Sequence, residues 1–383
     1  MSVRILAVGG AAVLALASAA HAQSLLFKKG LNKPGKPLKG LVDLHTHPMA
    51  HLGFGGHMVH GAPDVGTLMP AGTAYSSRGS IFGGGKNCNE QDVRATSIGE
   101  ALGSCSATHG GVHGDGNNCG NNVRRLVLSK MGGNPDAHGR DDNDVATLSN
   151  PFHPIRHPQG WPSFAAWPKH SDIQHQQMWV DWVKRAYEGG LRVMVALTVN
   201  SMTLRKGIAG NTPDDDKTTG DRQIDELKLM VGRHPWMKIA SSAADLRRIV
   251  AADKLAVIIG SEVDDIGNFA WSMREGRGMP TESQVGAEIQ RLWAKGVRYI
   301  FPVHVIDNHF GGTAIYEPEF PRASRYHFGR WPSIVCADRR DGITRRISNG
   351  ADLSKLLALG AAGGAFPLPA SCPSGVGYVN SRG

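Results

Sequence analysis

The sequence predicts an α/β protein on a parallel sheet, of the TIM-barrel-like (β/α)8 kind but incomplete, with a long loop-rich insertion after the first strand. Three observations carry this expectation. Strands that are apolar along their length alternate with amphipathic helical stretches, the pattern of a parallel sheet covered on both faces. Polar groups able to do chemistry gather near the strands' C-terminal ends: His45 and His47 after the first, Glu262 on a later one, His304 on the last. Barrel enzymes place their working residues there. A doubly wound sheet would satisfy the same alternation, but no Gly-x-Gly-x-x-Gly follows the first strand.

The elements follow in order. Arg4, an apolar run over 5–17 and the small-x-small Ala20-His21-Ala22 read as a secretory signal over 1–22. Residues 23–383 are then the partial barrel, expected to be periplasmic or secreted, with no stable membrane span after cleavage. Residues 41–47 are the first strand. The insertion runs over about 53–170 and is punctuated by Gly83-Gly84-Gly85 and Gly116-Asn117-Asn118. Trp179, Trp182, Val183, Ala186 and Tyr187 recur at helical spacing, and Gly189-Gly190 ends that helix. Residues 191–199 read as a nearly continuous apolar strand. A helix over 243–252 follows with Ser242 as its cap, then a strand over 255–263. Thr281 with Gln284 reads as a capping box ahead of Val285, Ile289, Leu292 and Trp293, Gly296 stops that helix, and 297–306 is the fourth strand. A last helical stretch covers 351–359. The residues after Ile306 are too few for four further β/α units of roughly 30 residues each, so the barrel is expected to be incomplete.

Composition narrows the class. The chain has 383 residues, 49 of them glycine and 21 proline, so a large core is affordable but many loops are required. The formal charge is +9, yet the densest basic cluster, Arg339-Arg340 with Arg345-Arg346, has no interleaved aromatics. It reads as a solvated loop, and no nucleic-acid partner is expected. Five cysteines without a Cys-x-x-Cys argue against zinc ribbons and thioredoxin-like chemistry. In an oxidising compartment Cys336–Cys372 and one pair among Cys88, Cys105 and Cys119 are the expected disulfides. Asp141-Asp142-Asn143-Asp144 and Asp214-Asp215-Asp216 lack the glycine and final glutamate of a calcium loop and read as solvated turns.

The chemistry centres on Asp43-Leu44-His45-Thr46-His47. Residues two apart on a strand share a face, so both imidazoles and the Asp43 carboxylate can converge at the strand's end, a donor set suited to zinc. The competing reading is a surface strand end with incidental histidines.

These residues resemble a known family. Asp43-Leu44-His45-Thr46-His47 is similar to the first-strand metal motif of the amidohydrolase superfamily. Ile258-Ile259-Gly260-Ser261-Glu262 resembles the Ile-Gly-x-Glu of membrane dipeptidases of the renal type. Gly296-Val297-Arg298-Tyr299, running on to Val303-His304, resembles their Gly-x-Arg-Tyr…Thr-His strand, and Asp307-Asn308 continues the likeness. The resemblance covers about 41–48 and 171–316. It implies His45 and His47 as metal ligands, Glu262 as a bridging ligand and His304 as a catalytic group on the oxyanion side, with one or two zinc ions. Asp307 and Asn308 would orient a small peptide or amide substrate, the competing reading being that they form the turn after the strand. Two departures stand beside the likeness: the family has His-x-Asp where this chain has His-x-His, and its second-metal histidine pair, substrate arginine and catalytic aspartate have no match here. The expected function is zinc-dependent hydrolysis of small peptides. A non-catalytic metal- or partner-binding remnant, and an amidohydrolase or lactonase with another substrate, are the alternatives.

Overall fold

The computed structural model describes residues 30–56, 58–59, 61–71, 91–102, 176–202, 205, 215–270, 276–313, 319–329, 331–336 and 378–380. Its elements in chain order are β1 (Leu41–Thr46), β2 (Leu68–Met69), β3 (Val93–Arg94), α1 (Ile98–Leu102), α2 (Val180–Glu188), β4 (Leu191–Asn200), α3 (Asp216–Arg233), β5 (Met237–Ile239), α4 (Ala243–Ala251), β6 (Leu255–Val263), α5 (Glu282–Ala294), β7 (Val297–Ile300), α6 (Glu319–Phe328), β8 (Ile334–Cys336) and β9 (Tyr378–Asn380).

Five of these strands make one all-parallel sheet. β1 pairs with β4 and β4 with β6; the far edge of β6 takes β5 beside residues 255–257 and β7 beside 259–261. β1, β4, β6 and β7 therefore lie in the order in which the chain makes them. β5 is the exception: made before β6 in the chain, it lies on the far edge of β6 beside β7. The parallel α/β core expected from the sequence is present.

Burial explains why these segments become strands. β4 is buried at all ten of its residues and β6 at all but Ile258, so both faces must be covered. Met194, Ala196, Val257 and Ile259 share a core with Ile224, Leu227 and Met230 of α3 and Leu292 of α5. Val193 and Ala256, on the opposite face, pack with Ile249 and Val250 of α4. Burying one such side chain contributes about 1.5–3 kcal/mol, against roughly 0.5–1.5 net for one ladder hydrogen bond, so side-chain burial chooses the strands. The caps act as the sequence predicts: Ser242 accepts from the Asp245 N–H at 3.1 Å, and Thr281 with Gln284 forms a reciprocal capping box.

Several boundaries differ from expectation. The fourth strand stops at Ile300, because Pro302 offers no N–H to continue the ladder, and His304 lies in the loop beyond it. The Asp214–Asp216 run is no solvated turn at its end: Asp215 caps α3 by accepting from the Thr218 N–H at 2.8 Å, and Asp216 is buried at the helix start. Part of the insertion packs regularly, since β2 and β3 pair antiparallel and Ala62, Met69, Ala95 and Ala101 join the core. β1 departs from the buried pattern: Leu41, Val42 and Leu44 are 57, 56 and 60% exposed, with β4 its one neighbour among the described strands. The expected signal segment, the helix over 351–359 and four of the five cysteines lie outside the described residues. Cys336 is disulfide-bonded, and the expected partner Cys372 is also outside them. No helix among the described residues is long and apolar enough to cross a membrane.

Candidate metal centre

Register brings the first strand's histidines to the end of β6. Thr46 pairs with Ala196 and its hydroxyl donates to the Val195 carbonyl at 2.8 Å, while Val199 pairs with Glu262. Alternation then turns His45, His47 and Glu262 to one face of the sheet. Gly260 shares that face; a Cβ there would lie 2.5 Å from Leu197 Cδ2, so the close approach needs glycine.

His45 Nε2 lies 2.7 Å and His47 Nε2 3.0 Å from the same oxygen, Glu262 Oε2. The distances suit hydrogen bonds, but the directions do not: Oε2 is buried and accepts no hydrogen bond. One donor atom from each of the three side chains falls within 4.8 Å of the other two. Lone pairs that converge without pairing are what a cation completes. The His47 Nδ1 donates to the Leu197 carbonyl at 3.4 Å, which leaves Nε2 as the lone-pair nitrogen, the usual outer support of a metal-bound imidazole. Side-chain exposure runs from 52% at His45 through 27% at His47 to 4% at Glu262, so the group opens to solvent on the β1 side. His45, His47 and Glu262 could therefore hold a metal ion. Asp43 does not join them. Its carboxylate turns back to accept the His45 backbone N–H at 3.0 Å, a local bond that short acidic side chains favour.

Electrostatics agree with this arrangement. Burial works to raise the Glu262 carboxyl, but its contact with His47 and the charges of His304, His47 and His45 outweigh burial and hold it below the usual range. His304 sits beside this group rather than in it. Burial disfavours its charged ring, yet the Asp264 carboxylate, which accepts from Nδ1 at 3.0 Å, and the more distant Glu262 raise its pKa.

Asp307 and Asn308 are engaged elsewhere. Asp307 is buried, with Oδ1 accepting from the Thr313 N–H at 2.9 Å and hydroxyl at 3.2 Å. Asn308 donates to the Pro302 carbonyl at 2.7 Å and the Asp264 carbonyl at 3.1 Å and accepts from the Phe310 N–H at 2.8 Å. Asn308 thereby braces the loop that carries His304.

Sequence reading missed the acidic group beneath the site. Asp216, Asp264 and Asp265 are each at most 1% exposed. Asn200 donates to Asp216 at 2.7 Å, and the Asp265 N–H donates to its other oxygen. Burial, then the charges of Asp264 and Asp265, pushes the Asp216 carboxyl well above the ordinary range. The available signal was Glu262-x-Asp264, an i, i+2 pair of acids at the end of an apolar strand.

Fold and site together define an α/β protein with a candidate metal centre at the C-terminal ends of its parallel strands. Comparison with protein-family models finds no match, and comparison with curated proteins finds none.

Proposed function

We propose that the chain is an exported zinc-dependent hydrolase resembling membrane dipeptidases, acting on small peptides or related amides. The observation that carries this reading is the buried Glu262 oxygen facing two imidazole nitrogens at 2.7 and 3.0 Å without a hydrogen bond. Two imidazoles and a carboxylate suit zinc, and three protein ligands leave a fourth position free, as in catalytic rather than structural sites. Zinc bound there supplies a water that loses its proton near neutral pH and a Lewis acid for the substrate carbonyl. The chain's own residues do the rest. His45 on β1 and His47 just beyond it would hold the ion together with Glu262 of β6, and His304 would present a ring with raised basicity on the side where the oxyanion would form. The half-exposed His45 marks the side from which a small substrate enters.

The test measures zinc in the purified full chain, alone and with His45→Ala and Glu262→Ala combined, together with hydrolysis of a panel of dipeptides, lactones and cyclic amides. The expected result is about one or two bound ions in the parent, none in the double variant, and dipeptide turnover that chelation abolishes. Unchanged zinc content in the double variant would sink the metal site. Zinc binding without turnover of any panel member would leave a metal-binding protein and remove the hydrolase.

A further inference from the structure

We infer that Asp264 is a positioning residue for His304: it takes the ring's Nδ1–H from below and so presents Nε2 to the metal side of the site. This inference rests on the functional reading above for what Nε2 then meets. Three observations carry it. Asp264 is fully buried, and its Oδ1 accepts from His304 Nδ1 at 3.0 Å and from the Val305 N–H at 3.3 Å. Its Oδ2 is buried and accepts no hydrogen bond. The His304 side chain is 22% exposed, and Nε2 has no hydrogen-bond partner among the described residues.

Bracing the loop alone does not explain the charge. An asparagine at 264 would accept the same two N–H groups through its Oδ1 without the cost of burying a carboxylate, which is several kcal/mol for a charge with incomplete partners. The loop also has other braces: Asn308 bonds to the backbone carbonyl of Asp264, which any residue at that position supplies. What only the carboxylate adds is charge assistance, which makes the bond to the imidazole about twice as strong and holds the ring more firmly in that tautomer and orientation. Metal-ligating histidines are commonly held by a carboxylate behind the ring, and the same device here holds a neighbouring histidine. Glu262 and Asp264 leave the end of β6 two residues apart, so one strand end supplies both a ligand and the support for its neighbour.

The experiment labels the histidine ring nitrogens of the full chain with 15N and assigns His304 by the resonance lost in His304→Gln. The expected result is a proton on Nδ1 that exchanges slowly and resonates far downfield. In Asp264→Asn, which keeps an Oδ1 acceptor for both N–H groups, that proton moves upfield and exchanges faster, zinc content stays at the parent level, and kcat on the dipeptide that the parent cleaves falls about 10–100-fold with KM less affected. A merely structural brace leaves the ring resonance and kcat unchanged while melting falls, and that result overturns the inference. So does a parent ring protonated on Nε2 alone, or a shifted resonance with unchanged kcat in a chain that cleaves dipeptides. If Asp264→Asn does not fold, the parent spectrum decides by itself between Nδ1 and Nε2. If the parent cleaves no dipeptide, the functional reading fails while the ring resonance still decides the role of Asp264.

Discussion

His51 shows how a single buried ring ties this molecule's stability to pH. Its Nε2 donates to the Leu68 carbonyl at 2.9 Å, so Nδ1 is the unprotonated nitrogen, and it is buried without a hydrogen bond. Burial is the largest influence and lowers the pKa from 6.5 to about 4; the Leu68 carbonyl opposes it. A folded-state pKa below the unfolded one means that the unfolded chain takes the proton first. The stability His51 contributes is present above pH 6.5, falls as pH drops through the window between 6.5 and about 4, and is gone below it. The fall from 6.5 to about 4, at about 1.4 kcal/mol for each tenfold change in proton affinity, gives a full loss of roughly 3.5 kcal/mol. Urea unfolding of the metal-free chain at pH 7.5 and pH 4 measures it. In His51→Leu the acid loss is expected to shrink by roughly that amount, and an equal loss in both proteins would show that His51 is not the acid-sensitive group. Residues of this kind divide sharply in how legible they are. His45, His47 and Glu262 can be read because a strand's alternation fixes their direction. His51 and Asp264 cannot, since their roles depend on a carbonyl and a ring brought in from other parts of the chain.

At the scale of elements, the turn after His47 is clamped to the end of β4. The Phe54 N–H donates to Asn200 at 2.7 Å, and Gln223 of α3 bonds to both the N–H and the carbonyl of Val199. Gly53 lies inside this clamp, where a Cβ would come within 2.4 Å of the Val199 carbonyl oxygen. Backbone cannot move aside as a side-chain tip can. Gly53→Ala is expected to destabilise the fold by about 1–3 kcal/mol and to weaken zinc binding, because the turn that leads away from His47 must lift off β4. Urea unfolding and zinc titration check both parts; full stability with unchanged affinity would refute the clamp. The same elements show what sequence pattern reaches. β4 and β6 were legible as nearly continuous apolar runs, and α4 and α5 by their caps. α3 was not, because much of its buried face is polar: Asp216, Thr219, Gln223 and Glu226 are buried there, and a search for apolar periodicity passes over them. β5 has three residues, too few to carry a pattern.

For the whole molecule, the metal group joins the first strand to the last long one across β4. β1 meets β4 alone among the described strands, while β6 is held on both sides by β4, β5 and β7. The parallel order of the sheet was readable from alternating strands and helices, whereas the neighbours of β1 depend on long-range pairing that composition does not encode. Linking β1 to β6 across β4 should make zinc a ligand of the folded state. Anything that binds only the folded chain adds stability as RT ln(1 + [L]/Kd), about 2.7 kcal/mol at a hundredfold excess over Kd. The melting temperature of the parent is therefore expected to climb steadily with zinc concentration and to return on chelation. His45→Ala combined with Glu262→Ala should melt at one temperature whatever the zinc concentration, because β1 and β6 then share no ligand. Hydrogen exchange separates this from zinc binding elsewhere on the surface. Zinc at the proposed centre slows exchange in β1, which otherwise opens first, and leaves β6, already protected between its neighbours, almost unchanged. Zinc-dependent melting that persists in the double variant, or protection confined to other elements, would place the ion away from β1 and β6.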